Sequence, residues 1–122
     1  MSQNSTIYVT QRPVPNRVGW VPNLSQADRY GKLVYVFEGG KQVFSRTDQG
    51  LKHAKEMLED FNPDHDYILW PNSGDPAALW CCQHALAGMG VPYIKYLYWE
   101  RGFKDGKRSN SEGFYSPITI QF

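Results

Sequence analysis

Apolar residues along the chain fall into short runs typical of strands and longer stretches typical of helices. Four runs are rich in β-branched and aromatic residues and predict strands: 7–10, 33–38, 67–70 and 93–101. A last stretch, 114–122, alternates apolar with polar residues and contains Pro117. Because proline cannot donate to a central ladder, this stretch predicts a half-exposed strand at a sheet edge.

Two stretches predict helices. From 48 to 61 the apolar residues recur at helical spacing on one stripe: Leu51, Ala54, Leu58 and Phe61. From 76 to 89 the chain is apolar on nearly every side, which is typical of a helix buried on more than one face. Pro92 follows closely and prevents that helix from continuing.

The stretch 66–87 contains a buried strand, a tight polar turn and a buried helix in succession. Strand, turn and buried helix form the repeating unit of α/β domains. We therefore predict an α/β fold, with a small mixed sheet of about five strands and two crossover helices. The length of 122 residues predicts a single domain over 1–122.

Several segments between these elements predict turns or loops. Residues 11–32 are rich in proline and glycine and predict an extended arm, in which 23–30 could form one helical turn. Residues 38–41 predict a turn into a short second hairpin strand at 42–45. Residues 102–113 are rich in Gly, Lys, Ser and Asn and predict a basic loop.

Composition suggests that some large side chains lie on a surface. Four Trp, eight Tyr and six Phe exceed the needs of one small core, and exposed aromatic residues are common at interfaces. The net charge is only +1, but basic residues concentrate in 1–46 and 95–112 and acidic residues in 48–75. We therefore predict a partner-binding surface formed by these residues: Arg12, Arg17, Trp20, Arg101, Lys104, Lys107 and Arg108. Trp20 could instead fold back and cover the sheet.

The polar turn before the second helix is the alternative site. A glycine-bearing turn at a helix N-terminus can bind an anionic ligand through its N–H groups. Asp75 followed by Pro76 is also typical of an N-cap, whose carboxylate would occupy those donors and repel a phosphate. A small-ligand or nucleotide site would comprise these residues: Glu38, Asn72, Ser73, Gly74 and Asp75.

The cysteines indicate a buried core rather than chemistry. Cys81 and Cys82 are adjacent in a helical stretch, so a disulfide between them is geometrically unfavourable. Cys81 and His84 could share a metal, but a structural zinc site needs four ligands, and buried thiols fit the pattern better. We predict no metal site, no cofactor and no catalytic set. Without a signal peptide or a long apolar run, the chain is expected in the cytoplasm.

The chain also resembles a family of phage proteins. The residues that carry the resemblance are Ile-Tyr-Val-Thr-Gln-Arg-Pro at 7–13, Tyr-Gly-Lys-Leu-Val-Tyr-Val-Phe at 30–37, Asp-Tyr-Ile-Leu-Trp followed by Gly-Asp-Pro-Ala-Ala-Leu within 66–79, and Trp-Glu-Arg at 99–101. The pattern is similar to short, uncharacterised proteins of tailed bacteriophages. This resemblance implies a phage accessory or host-interaction protein in the host cytoplasm, and it implies no activity or site residues.

These observations lead to ranked functional hypotheses. The first is a non-catalytic binding module that contacts a host protein through its aromatic residues and basic segments. The alternative is a small-ligand or nucleotide-binding protein, which could be an enzyme. Nucleic-acid binding by the basic segments is a weaker option, no membrane partner is expected, and a homodimer could form through the edge strand 114–122.

Overall fold

A computed structural model describes residues 5–15, 17–19, 24–39, 47–71 and 75–122. It describes the backbone alone for Thr47, Arg101, Phe103, Lys104 and 108–112. The strands are β1 (Thr6–Gln11), β2 (Lys32–Phe37), β3 (Tyr67–Leu69), β4 (Tyr93–Lys104) and β5 (Lys107–Gln121). The helices are α1 (Thr47–Met57), α2 (Pro76–Gly88) and a 3₁₀ helix at Ser25–Tyr30.

The five strands form one mixed sheet in the order β2-β1-β3-β4-β5. The first four strands of that order run parallel, and β5 pairs antiparallel with β4. A helix connects β2 to β3 and another connects β3 to β4, as parallel neighbours require a crossover. The small α/β fold with a mixed sheet of five strands is therefore confirmed.

Both α-helices pack on one face of the sheet. Alternate strand residues such as Tyr8, Ile68 and Tyr96 form a core with the apolar stripe of α1 and with α2. The strand residues that alternate with these, such as Val9 and Leu97, point to the opposite face and form a second core there. That second core is covered by the 3₁₀ helix, whose Ala27 is fully buried.

Small side chains let α2 lie close to both α1 and the sheet. Cys81, Cys82 and Ala85 are completely buried, as the apolar pattern predicted. Burial raises the pKa of the Cys82 thiol to about 12, so the group stays protonated and unreactive at neutral pH. The polar side chain of Gln83 has a partner in this apolar surrounding, because its Nε2 donates a 2.6 Å hydrogen bond to the Tyr96 hydroxyl. No helix within the described ranges is long and apolar enough to cross a bilayer.

The prediction of a loop over 102–113 is wrong. β4 continues to Lys104, and β5 begins at Lys107, so these residues form a hairpin. Its turn is Asp105-Gly106, with φ of 55° and 78°. Positive φ at both central residues is the conformation of a type I′ hairpin turn, for which Asp-Gly is a preferred sequence.

The arm predicted over 11–32 is partly regular structure. Gln11 belongs to β1, and the helical turn expected within 23–30 is confirmed as the 3₁₀ helix. Residue 16 and residues 20–23 lie outside the described ranges, as does the hairpin strand expected at 42–45.

The edge position predicted for 114–122 is confirmed, since β5 is the last strand of the sheet. Its apolar residues nevertheless face outward: Phe114, Ile118, Ile120 and Phe122 are all exposed. Ile118 and Ile120 share a face with Tyr96 and Ile94, their partners on β4. Those partners are buried, so the helices cover this face as far as β4 but leave β5 open.

Candidate functional site

The strand order predicts a crevice at the carboxyl ends of the parallel strands. From β1 the chain crosses to β2 on one side, and from β3 it continues to β4 on the other. The order of strands therefore reverses between β1 and β3. In open α/β sheets, ligands bind at this reversal, outside the carboxyl ends of the strands.

Gln11, the last residue of β1, links the elements around this crevice. Its Oε1 accepts a 2.7 Å hydrogen bond from the backbone N–H of Asp75, at the start of α2. Its Nε2 donates to the backbone carbonyl of Glu38 across 3.5 Å, at the end of β2. One amide side chain thus ties the strand and helix ends together across the reversal point.

Asp75 is the N-cap of α2. Its backbone is extended, with φ −81° and ψ 120°, and its side chain accepts a 3.0 Å hydrogen bond from the N–H of Ala77. Pro76 occupies the first helical position, where a missing N–H costs nothing. The carboxylate therefore stabilises the helix start, as the Asp-Pro pattern predicted. The other residues of this alternative site, Asn72, Ser73 and Gly74, lie outside the described residues.

Arg12 and Glu38, predicted for two different sites, lie next to each other. Arg12 Nε is 2.9 Å from Glu38 Oε1, and both side chains are exposed. The Arg12 guanidinium also lies 3.8 Å from the ring centre of Tyr35. Stacking and ion pairing fix the orientation of this arginine at the end of β1. The added energy is small because exposed ion pairs contribute about 0–1 kcal/mol.

The remaining basic positions concentrate on the tip of the β4–β5 pair. We call residues 101–109 the basic hairpin. Arg101 lies opposite Gly113, Arg108 opposite Phe103, and Lys104 opposite Lys107. The Lys107 side chain is exposed beside the turn. Arg17 is exposed as well, whereas Trp20 lies outside the described residues.

The basic hairpin extends well past the rest of the sheet. The last pair between β3 and β4 joins Leu69 to Leu97, and β4 continues for seven residues to Lys104. At the usual strand rise, the turn lies about 20 Å beyond the end of β3. The register also shifts between Arg101, paired with Gly113, and Gly102, paired with Ser109, so β5 bulges there.

Sequence reasoning missed an exposed aromatic pair on α2. The Trp80 and His84 rings stack with centroids 4.9 Å apart, and Trp80 is 47% exposed. The spacing of four residues on one helix is the signal that could have identified this pair. The exposed His84 identifies the side of this mostly apolar helix that faces away from the core. Cys81, which was considered as a metal ligand with His84, is instead fully buried.

Comparison with known proteins identifies one relationship. A family model described as Phage Pam3 gp32-like protein matches residues 5–111. This match confirms the resemblance to short phage proteins, and it spans every element described above except the last part of β5. No curated protein and no solved structure matches the chain.

Proposed function

The chain belongs to the Phage Pam3 gp32-like protein family, and from that premise we propose that it is a non-catalytic accessory protein. In this proposal it binds an acidic protein of the bacterial host, in the host cytoplasm, through the basic hairpin. The projecting shape and charge of this hairpin are the observation that carries the proposal.

The charge of the hairpin is concentrated. Residues 101–108 contain four basic residues, Arg101, Lys104, Lys107 and Arg108, against one acid, Asp105. Lys104 and Lys107 occupy directly paired positions of the two strands, on either side of the turn. An acidic partner surface would complement this concentration of basic residues. Such complementarity mainly raises association rate and specificity.

Arg12 lies at the same end of the sheet as the base of the basic hairpin. Arg12 follows directly after the carboxyl end of β1, and the hairpin extends from the carboxyl end of parallel strand β4. A partner that covers the hairpin can therefore also reach the start of the arm. Because Arg12 is held against Tyr35 and Glu38, it would lose little side-chain entropy on binding.

A charge-reversal experiment tests the proposal. The variant Lys104→Glu/Lys107→Glu carries the same charge change as a control, Lys52→Glu/Lys55→Glu, on the exposed surface of α1. We expect the wild type and the control to capture the same host protein from bacterial lysate, and the hairpin variant to lose it. Mass spectrometry identifies the captured protein, and titration calorimetry with the purified partner quantifies the loss. Equal capture by both variants would contradict the proposal.

Nucleic acid is the competing partner for a basic hairpin, since a two-stranded ribbon fits the DNA major groove. Fluorescence anisotropy with a duplex of random sequence separates the two partners. Duplex binding would weaken steeply with added salt, because neutralised phosphates release counterions. Tight, salt-sensitive binding to the duplex without a captured host protein would replace the proposed partner with nucleic acid.

A small-ligand or nucleotide site is the second candidate, favoured by the strand-order reversal beside Gln11 and Asp75. A thermal-shift screen with nucleotides and divalent metals tests it. A ligand at a hundred times its dissociation constant stabilises by about 2.7 kcal/mol. A shift that disappears in Gln11→Ala and in Asp75→Asn would support this candidate. The absence of any shift would exclude it for the compounds screened.

A further inference from the structure

The outer edge of β5 presents backbone groups to solvent in a regular pattern. Trp70 N–H donates to Leu97 C=O, so Leu97 directs its backbone groups toward β3. Tyr96, one residue earlier, therefore directs its groups toward β5, where it pairs with Ile118. By the same alternation, Thr119 directs its N–H and C=O away from the sheet. Phe122 N–H donates to Pro92 C=O, which is consistent with this alternation.

The part of this edge that precedes residue 118 is not available for pairing with another chain. The outward carbonyl of Tyr115 accepts a 3.0 Å hydrogen bond from the Tyr30 hydroxyl on the 3₁₀ helix. Pro117, the next outward position, has no N–H to offer. After Pro117 along the strand, Thr119 and Gln121 are both exposed, and no described residue hydrogen-bonds to their outward backbone groups. The open edge therefore begins after Pro117.

This open edge lacks the features that usually prevent strand pairing. Natural edge strands carry charges, Pro or bulges that block the approach of another chain. Residues 118–122 contain no charged residue and no proline. On the helix-side face, Ile118 is 39%, Ile120 46% and Phe122 60% exposed. The edge thus combines unpaired backbone groups with an apolar side.

We propose that two copies of this chain pair antiparallel through β5, with Ile120 opposite its own copy, to form one continuous sheet. Thr119 then exchanges N–H···O=C hydrogen bonds with the second copy's Gln121, and Gln121 with its Thr119. Pro117 takes no part, so its missing donor is harmless. The interface depends on the edge of β5 and is independent of the proposed role of the basic hairpin.

The molecule that pairs with the open edge is a second copy of this chain, because the edge is complementary to itself. In this register Ile118 lies opposite the second copy's Phe122, so apolar side chains meet on the face that the helices leave open. Thr119 and Gln121 meet on the other face, so polar side chains also meet each other. No like charges are brought together by residues 113–122. An uncharged, alternating strand therefore matches its own inverted copy on both faces.

A proline substitution tests the pairing. Thr119→Pro removes an outward N–H and places a ring at the interface, but it spares the hydrogen bonds to β4, as the native Pro117 does. Thr119→Val is the matched control, since it keeps the backbone donor and the preference for a strand. By sedimentation equilibrium we expect the wild type and the control to reach twice the 14.0 kDa of one chain with rising concentration. The proline variant should stay at the single-chain mass.

Cysteine cross-linking tests the register. Ile120 would form a non-hydrogen-bonded pair with its copy, with Cα atoms about 4.5 Å apart, within the range that a disulfide spans. We expect Ile120→Cys to form a covalent dimer under mild oxidation. Phe114→Cys should not, although Phe114 is 55% exposed against 46% for Ile120, because it would lie about 40 Å from its copy. The native Cys81 and Cys82 are buried and should not interfere.

Three results would overturn the proposal. They are a wild type that stays monomeric at every concentration, a dimer that survives in a folded Thr119→Pro variant, and the absence of an Ile120→Cys cross-link. If circular dichroism shows that Thr119→Pro is unfolded, the cross-linking result decides.

Discussion

Buried Asp66 holds the start of two strands in place. Its Oδ1 accepts a 2.9 Å hydrogen bond from the N–H of Thr6, at the start of β1. Its Oδ2 accepts a 2.8 Å bond from the N–H of Asn62, in the turn before β3. The residue is only 5% exposed, so water has little access to the carboxylate that accepts these two bonds. Both oxygens are therefore needed as acceptors.

We expect Asp66→Asn to destabilise the fold. One acceptor oxygen becomes an NH₂ group that faces a backbone donor, and hydrogen bonds to charged groups contribute about 1.5–3 kcal/mol. Urea unfolding at neutral pH should show a loss of that size. Asp60→Asn removes an exposed carboxylate from the same region and should change the free energy of unfolding little. Equal effects of the two substitutions would show that Asp66 acts only through its charge.

The Cys82 thiol makes stability depend on pH. Its pKa rises from 9.0 to about 12 on folding because burial disfavours the thiolate. In the unfolded chain the thiol loses its proton above pH 9, whereas in the folded chain it keeps it. The unfolded state is therefore favoured progressively as pH rises between 9.0 and about 12.

The expected slope from this one group is a loss of about 1.4 kcal/mol per pH unit within that window. Free energies of unfolding in urea, measured at pH 7, 9 and 10, would reveal it. Cys82→Ala lowers stability at every pH by leaving a small cavity, but its decline above pH 9 should be shallower. Parallel declines in the two proteins would assign the pH dependence to other groups.

At the scale of elements, the basic hairpin shows how far local sequence determines structure. The dipeptide Asp105-Gly106 is a preferred hairpin turn, yet the surrounding Gly, Lys, Ser and Asn residues suggested a loop. Such residues form a ladder here because β4 is already fixed in the sheet and provides a template for β5. Pairing with an ordered strand thus outweighs low intrinsic strand preference.

We expect Gly106→Ala to weaken the hairpin tip. Gly106 has φ of 78°, where a side chain costs about 1–2 kcal/mol, although a Cβ there would meet no neighbouring atom. Amide hydrogen exchange should become about tenfold faster at Lys104 and Lys107. Gly88→Ala is the control, since Gly88 ends α2 without a positive φ and also has open space. Exchange at the tip should be unchanged in that control.

The presence of both helices and the N-cap of α2 were predictable because their signals are local, although α1 ends at Met57 and not at Phe61. The Asp75-Pro76 pair marks the start of α2, and the apolar run marks its length. The outward direction of Phe114 and Ile118 was not predictable in the same way. It depends on the register of β5 against β4 and on how far α2 reaches across the sheet. Both are properties of the assembled fold.

At the scale of the whole molecule, the two faces of the sheet are covered unequally. One face has α1 and α2, while the other has the 3₁₀ helix within the segment predicted as a binding arm. Ala27 is fully buried there, and Leu24 and Tyr30 pack against the same core. Part of the arm is therefore a structural layer, and its deletion would expose the core.

A substitution that enlarges this layer tests that conclusion. Ala27→Leu adds volume to a fully buried position, and overpacking typically costs about 1–3 kcal/mol. Ala87→Leu makes the same change at an exposed position of α2 and should be nearly neutral. Thermal unfolding compares the two variants. Equal midpoints would mean that the 3₁₀ helix can move away from the sheet without loss.

The contacts around the strand-order reversal were only partly predictable. The turn before α2 and Glu38 could be proposed as a site from the strand pattern. Gln11 could not, because its contact with Asp75 joins residues 64 positions apart and requires β1 to lie beside β3. The pairing of Arg12 with Glu38 likewise needs the register between β1 and β2. Such contacts follow from topology, which composition and periodicity do not determine.

The hairpin's reach past the sheet has an evolutionary consequence. Beyond Leu97 no strand in the described part of the chain flanks β4 on the side of β3. Mutations, insertions and deletions at the tip can therefore accumulate without disturbing either core. Homologues from phages with different hosts should diverge most in the length and charge of this ribbon, while Gln11, Asp66 and Asp75 stay the same.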